Sequence, residues 1–326
     1  MQFTSSDGSV RKFGFKRDPK YRELPIRKLS QHKRRLLPLV SPDLLASTHI
    51  PVTDQDVIGC CTAEGSCKAF TFAEFQQNFV NPRPQSVLGF YYNEQLQDGN
   101  DPKQDNGSTI TTASKVLLTK GTASDDSFPF KKENYYTRPS DQYFTEAAKQ
   151  KGSMVPVNWV EADLMDALCN GKLVVVGFDV FDSFMSKAVA DTGVVPTPAP
   201  TDNFVGGHCM VLCQLNSMTK QGLFCNSWGV NWGCNNSAGQ RGYCTIPYDY
   251  MFGVNTQTNQ PFFSDSWIVS SLHNPDPTPA PAPAPAPTPV PVPIVPNPPP
   301  NAHVVLPLDV KMFLAQATAL SNKYKF

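Results

Sequence analysis

Between Ile50 and Leu272 the apolar positions follow two different rhythms. In "CTAEGSCKAFTFAEFQQNF", Ala63, Cys67, Phe70 and Glu74 recur at steps of three and four with no proline between them, which predicts a helix. "STITTASKVLLTKG" predicts a second, with Ser108 as its N-cap and Gly121 as its C-terminal stop, and "EADLMDALCNG" a third. The pattern then changes. "KLVVVGFDV", "GGHCMVLCQL", "GLFCNSW" and "GYCTIPYDY" are short apolar or alternating runs separated by glycine and asparagine, as antiparallel strands require. Helices come first and strands second, over a folded region set at 46–272.

Both flanks lack this periodicity. Residues 1–45 form a basic N-terminal arm carrying Arg11, Lys12, Lys16, Arg17, Lys20, Arg22, Arg27, Lys28, Lys33, Arg34 and Arg35. A basic run can mark a nucleic-acid, membrane-surface or import patch. No aromatic platform of the kind single strands need is interleaved here, so no nucleic-acid partner is expected. The arm is instead expected to be a solvated extension, or a segment laid over the domain that masks a site until it moves. Residues 273–300 are a proline-rich linker, "NPDPTPAPAPAPAPTPVPVPIVPNPPP", in which proline removes amide donors and fixes φ. A polyproline II spacer reaching about 80 Å is expected there; it serves as a plain spacer, or as a ligand for a proline-motif-binding partner through 275–300. The tail 301–326 is apolar enough for a short amphipathic helix.

The chain of 326 residues has no net charge, so no global field draws it to nucleic acid or membrane. Its nine cysteines are an odd number in a chain too long to need disulfide staples, and its opening residues contain no signal-like apolar run. Free thiols are expected, in a cytoplasmic or otherwise intracellular setting or in association with a virion. No run of about 18 uncharged apolar residues offers a membrane span.

Thiols make nucleophilic catalysis a candidate, and such chemistry needs an imidazole, a group that orients it and donors for an oxyanion. Of the five histidines, His32, His49, His273 and His303 lie in the arm, at the domain entrance or in the tail. His208 alone sits in a strand signal, after Gly206 and Gly207, which let other backbone or a substrate approach. Its alternative is a satisfied core histidine. Against that, Asn226 lies between a strand and a glycine turn, with Trp228 beside it as an apolar shield for an Asn–His hydrogen bond.

"PVTDQDVIGCCTA", "FVGGHCMVL", "LFCNSWGVNWG" and "GYCTIPYDYM" together resemble the papain family of cysteine peptidases, most closely its branch in bacteria and large DNA viruses, including iridovirus-like sequences. The resemblance runs from about Lys12 to Ile268 and leaves the linker and tail outside. It implies an α+β papain-like fold, a helical half facing an antiparallel β-barrel-like half across a cleft, and a thiol protease that needs no metal or organic cofactor and acts on polypeptide substrates.

The family's oxyanion glutamine lies six residues before its cysteine, a spacing that Gln55 and Cys61 share. The competing reading takes "GSCKAF" for the family's "GSCWAF" and makes Cys67 the nucleophile. Six residues turn a helix through about 240°, so Cys61 and Cys67 cannot face one cleft. The helix start, where amides and dipole favour a thiolate, belongs to Cys61. The resemblance thus implies Cys61, His208 and Asn226 as catalytic residues, Gln55 in the oxyanion hole, and Gly107 and Gly207 at the substrate wall. Asp56, Val57 and Cys225 depart from the family pattern, and Cys60 stands where serine is common. These departures keep a non-catalytic peptide-binding module, tethered by its stalk to a larger assembly such as a virion, as the alternative; transpeptidation or deamidation on the same residues is a further one.

Overall fold

The structure, a computed structural model, describes residues 2–4, 8, 10–26, 37–78 and 83–273. The linker beyond His273, the tail, His32, His303 and the basic residues of 27–36 lie outside the described residues. The chain divides into two units, Met1–Ala280 and Pro281–Phe326, and every described residue belongs to the first.

Strands β1 (Gln2–Thr4) and β2 (Val10–Lys12) pair antiparallel at the start. The helical half follows as α1 (Cys61–Asn78), α2 (Val87–Gln97), α3 (Ile110–Thr119) and α4 (Asp141–Ala147). The strand half begins with β3 (Lys151–Pro156) and contains α5 (Glu161–Cys169), β4 (Val174–Phe181), α6 (Lys187–Thr192), β5 (Phe204–Asn216), β6 (Gln221–Cys225), β7 (Cys234–Asn235), β8 (Arg241–Pro247) and α7 (Tyr248–Met251). It closes with β9 (Val254–Asn255), β10 (Gln260–Pro261) and β11 (Phe263–His273). One seven-stranded antiparallel sheet runs in the order β3-β11-β4-β5-β6-β8-β7. Helices before strands is the expected α+β order.

The alternation of β5 sorts its side chains to two cores. Met210 and Leu212 join Leu164 and Leu168 of α5 on one face, while Cys209, Val211 and Cys213 join Ala63, Cys67 and Phe70 of α1 on the other. Helix α1 is buried on nearly all sides, including its charged Glu64 and Lys68; the Lys68 ammonium is satisfied by the Pro51 carbonyl at 2.7 Å. Such a helix sits at the centre of a domain and fixes whatever its first residue carries.

Helix α3 begins one residue later than expected. Thr109, not Ser108, is its N-cap, accepting the Thr112 N–H at 3.0 Å. The Ser108 hydroxyl donates instead to Asp98 at 2.8 Å, which leaves its backbone free to meet another segment. Gly121 ends this helix as expected, left-handed at φ 77° with its N–H on the Val116 carbonyl.

Candidate active site

His208 lies within β5 opposite Phe178 of β4, fully buried. Its ring stacks on Trp228, with centroids 5.0 Å apart and planes 27° from parallel. Trp228 is thus the apolar cover expected of it. The His208 Nε2 lies 2.8 Å from Asn226 Oδ1, brought there because β5 and β6 are neighbours and Asn226 directly follows β6. Asn226 Oδ1 also accepts the Ser227 N–H at 2.8 Å, which settles which way the amide faces. Nε2 must therefore carry the proton and donate it, and Nδ1 keeps its lone pair. That nitrogen is buried without a hydrogen-bond partner.

Cys61 is the first residue of α1, its thiol wholly buried. Backbone of Gly14, Cys209 and Phe15 hydrogen-bonds to it in the sense that favours the thiolate. Cys209 is the next residue after His208, so the helix start and the histidine strand converge. Cys67 faces elsewhere, towards Thr122 and a small hollow between Pro51, Thr71 and Gln85. All nine cysteines are free thiols.

Gln55 precedes α1 and is buried. Its Nε2 donates to the carbonyls of Ile58 at 2.8 Å and Lys12 at 3.0 Å, and its Oε1 accepts the Ser227 hydroxyl at 2.7 Å. Ser227 therefore orients both Asn226, through its N–H, and Gln55, through its Oγ. Ser227 is not among the residues expected at the site, although its place within "NSWG" is a signal for it.

The basic arm runs through this site. Phe13 packs edge-on against His208, centroids 5.9 Å apart, and also meets Trp228. Gly14 passes so close to Gly59 that a Cβ on it would stand 1.7 Å from the Gly59 carbonyl oxygen. Its own carbonyl accepts the Ser108 N–H at 2.8 Å, and the Lys16 N–H returns to the Ser108 carbonyl at 2.8 Å, a parallel bridge along the wall where Gly107 lies. The Phe15 N–H donates to the Gly207 carbonyl at 3.1 Å. Its ring occupies the space that a side chain at Gly177 would need. Gly107 and Gly207, expected at the substrate wall, thus both line the path of the arm. Three ion pairs flank that path: Arg11 with Asp54 at 2.6 Å, Lys12 with Asp105 at 2.8 Å and Arg17 with Asp179 at 2.8 Å.

Burial beneath the arm shifts both titrating groups towards neutrality. It pushes the Cys61 thiol up to about 12, with the Gly14 and Cys209 backbone bonds acting against the shift. Burial likewise lowers the His208 ring to about 4, opposed by the bond to Asn226 and assisted by the nearby Arg11 charge. Thiol and imidazole are both neutral in this arrangement. Among the described residues no group of three or more His, Cys, Asp or Glu side chains is placed to hold a metal ion, and no helix is long and apolar enough to cross a membrane.

No protein-family model matches the chain. An uncharacterized peptidase C1-like protein of Acanthamoeba polyphaga mimivirus is 30% identical over 231 residues, 68% of this chain and 70% of that protein. Among solved structures, xylellain, a cysteine protease from Xylella fastidiosa, superposes with a TM-score of 0.68 at 23% identity over 82% of this chain and 97% of its own. Procathepsin B S9 from Trypanosoma congolense follows at 0.60 and 18% identity, over 79% of this chain and 86% of its own. The cysteine protease and lectin-like domains of Cwp84 from Clostridium difficile reach 0.55 at 14% identity, over 78% of this chain and 54% of that one. The structures share the papain-like fold, and the viral relative carries the likeness through most of both sequences: the chain belongs to the papain family of cysteine peptidases.

Proposed function

We propose that this papain-like peptidase cleaves peptide bonds with Cys61 as nucleophile, His208 as general acid and base, Asn226 as the group that orients the ring, and Gln55 as an oxyanion donor. The observation that carries the reading is the His208 ring itself. One nitrogen is committed to Asn226 at 2.8 Å and the other is buried with no partner, on a strand whose next residue touches the Cys61 thiol.

The thiol proton passes to His208 Nδ1, and the thiolate attacks the substrate carbonyl, forming a C–S bond. The Gln55 Nε2 and the Cys61 N–H, a helix-start donor with no partner within its own helix, stabilise the tetrahedral oxyanion. Collapse breaks the C–N bond as the imidazolium protonates the leaving amine. Water, deprotonated by His208, then attacks the thioester and releases the acid and the Cys61 thiol. The form described here is latent, because the Lys12 carbonyl holds the Gln55 donor and the arm keeps water from the thiol and ring. Displacement of residues 10–18 rehydrates the pair and lets it ionise.

A thiol-directed peptidyl electrophile, followed by intact mass spectrometry, tests the assignment. Wild type and Cys67→Ala are expected to gain one adduct, and Cys61→Ala none. An adduct retained in Cys61→Ala and lost in Cys67→Ala would overturn the register. Hydrolysis of a quenched peptide library that survives Cys61→Ala would remove the mechanism altogether.

A further inference from the structure

One residue of the arm places two of its groups at once. The Lys12 carbonyl accepts from Gln55 Nε2 at 3.0 Å, where the oxygen of an attacked carbonyl would lie. The ammonium of the same lysine lies 2.8 Å from Asp105 Oδ2. The Asp105 side chain is only 3% exposed and is held from two sides, by the Gly59 N–H at 2.8 Å and by the Tyr91 hydroxyl. Gly59 is two residues before Cys61, so this carboxylate is fixed relative to the thiol. The Asp105 carbonyl adds a second acceptor for the ammonium at 3.1 Å. When the arm leaves, this anchored carboxylate loses its ion-pair partner, and a cationic substrate side chain would replace it through a charge-assisted contact.

We propose that Asp105 is a specificity-determining residue that selects lysine or arginine at the substrate position whose carbonyl is attacked. This rests on the hydrolytic reading of Cys61 and Gln55, but its test separates the two. Asp54, which pairs with Arg11, makes a control: its side chain is 48% exposed, and it meets a different residue of the arm.

Peptidyl electrophiles that differ only in the residue next to the reactive group, lysine, methionine or glutamate, are applied to the full chain, and the rate of Cys61 labelling is read by mass spectrometry. The lysine probe is expected to react about tenfold faster than the methionine probe or better, and the glutamate probe slowest, the ratio expected from one charge-assisted contact. Asp105→Asn keeps an acceptor for the Gly59 N–H and is expected to bring the three rates together. Asp54→Asn, which loosens the arm at another of its pairing points, is expected to speed all three probes and preserve their ratio. Equal lysine and methionine rates in wild type, or a lysine preference that survives Asp105→Asn, would overturn the proposal while leaving the peptidase reading intact. Absence of Cys61 labelling by every probe in every variant would overturn both.

Discussion

His208 is buried as an uncharged ring, and the cost of charging it there is measurable. Burial holds its folded value near 4, below the ordinary 6.5. Between those values the unfolded chain takes up a proton that the folded ring refuses, so stability present in full above pH 6.5 is lost as the pH falls towards 4. From pH 7 to 5 the contribution of this one group is about 2 kcal/mol. His208→Gln removes it. Urea unfolding at the two pH values should show wild type losing about that much more stability than the variant, and equal losses would mean the ring is already hydrated under the arm. The pairing of His208 with Asn226 could be read from "GGH" followed by "NSWG", because antiparallel neighbours carry their pairing in sequence spacing. Ser227 carried a signal within the same "NSWG", but its contact with Gln55 did not. Asp105 could not be read at all, because its meaning lies in its contact with Lys12, far away along the chain.

At the scale of elements, the helices and strands follow local pattern closely; β8 ends at Pro247, where the "YDY" expected to continue the strand turns into α7, and the shifted start of α3 is informative. Thr109 caps α3 while Ser108 gives its side chain to Asp98 and its backbone to the arm. Both are good capping residues, and only the arm and Asp98 distinguish them. Thr109→Ala should cost about 1 kcal/mol of stability in chemical denaturation, the usual loss of a cap. Ser108→Ala should leave the cap intact and, with the backbone bridge unaltered, cost less; the reverse order would return the N-cap to Ser108. Helix α1 shows the same division of labour. Its apolar spacing announces a helix, but burial on nearly every side, which makes Cys61 immovable, comes from the sheet and the other helices closing over it.

For the molecule as a whole, the central relation is between the arm and the body. Phe13 and Phe15 are buried to 8% and 6% exposure, and each contributes about 2–3 kcal/mol of apolar burial that holds the arm in place. Three ion pairs fix its register along the path. Gly14 is the tightest point, since a single methyl group would collide with the Gly59 backbone. Gly14→Ala should therefore unseat the arm without touching Cys61, His208 or Gln55. Its signature would be protease nicking within residues 10–18, together with faster Cys61 labelling by a peptidyl electrophile than in wild type. Unchanged labelling and an uncut arm would mean that the arm does not gate the site. Arg11, Lys12 and Arg17 of the basic run thus have their partners within the same molecule, as carboxylates of the body.

What the sequence determined by itself was everything carried by short-range spacing. That includes the helix that starts at Cys61, the strand that bears His208 and the one that ends just before Asn226, the six-residue step from Gln55 to Cys61 and the glycines at 107 and 207, since local periodicity and neighbouring-strand pairing relate residues close in the chain. Tertiary structure alone decided that the arm passes between Gly59, Gly107 and Gly207, that burial beneath it holds the thiol and ring neutral, and that Asp105 faces Lys12. These are contacts between segments tens to nearly two hundred residues apart. Their free energy depends on which surfaces meet and exclude water, and no local pattern encodes that.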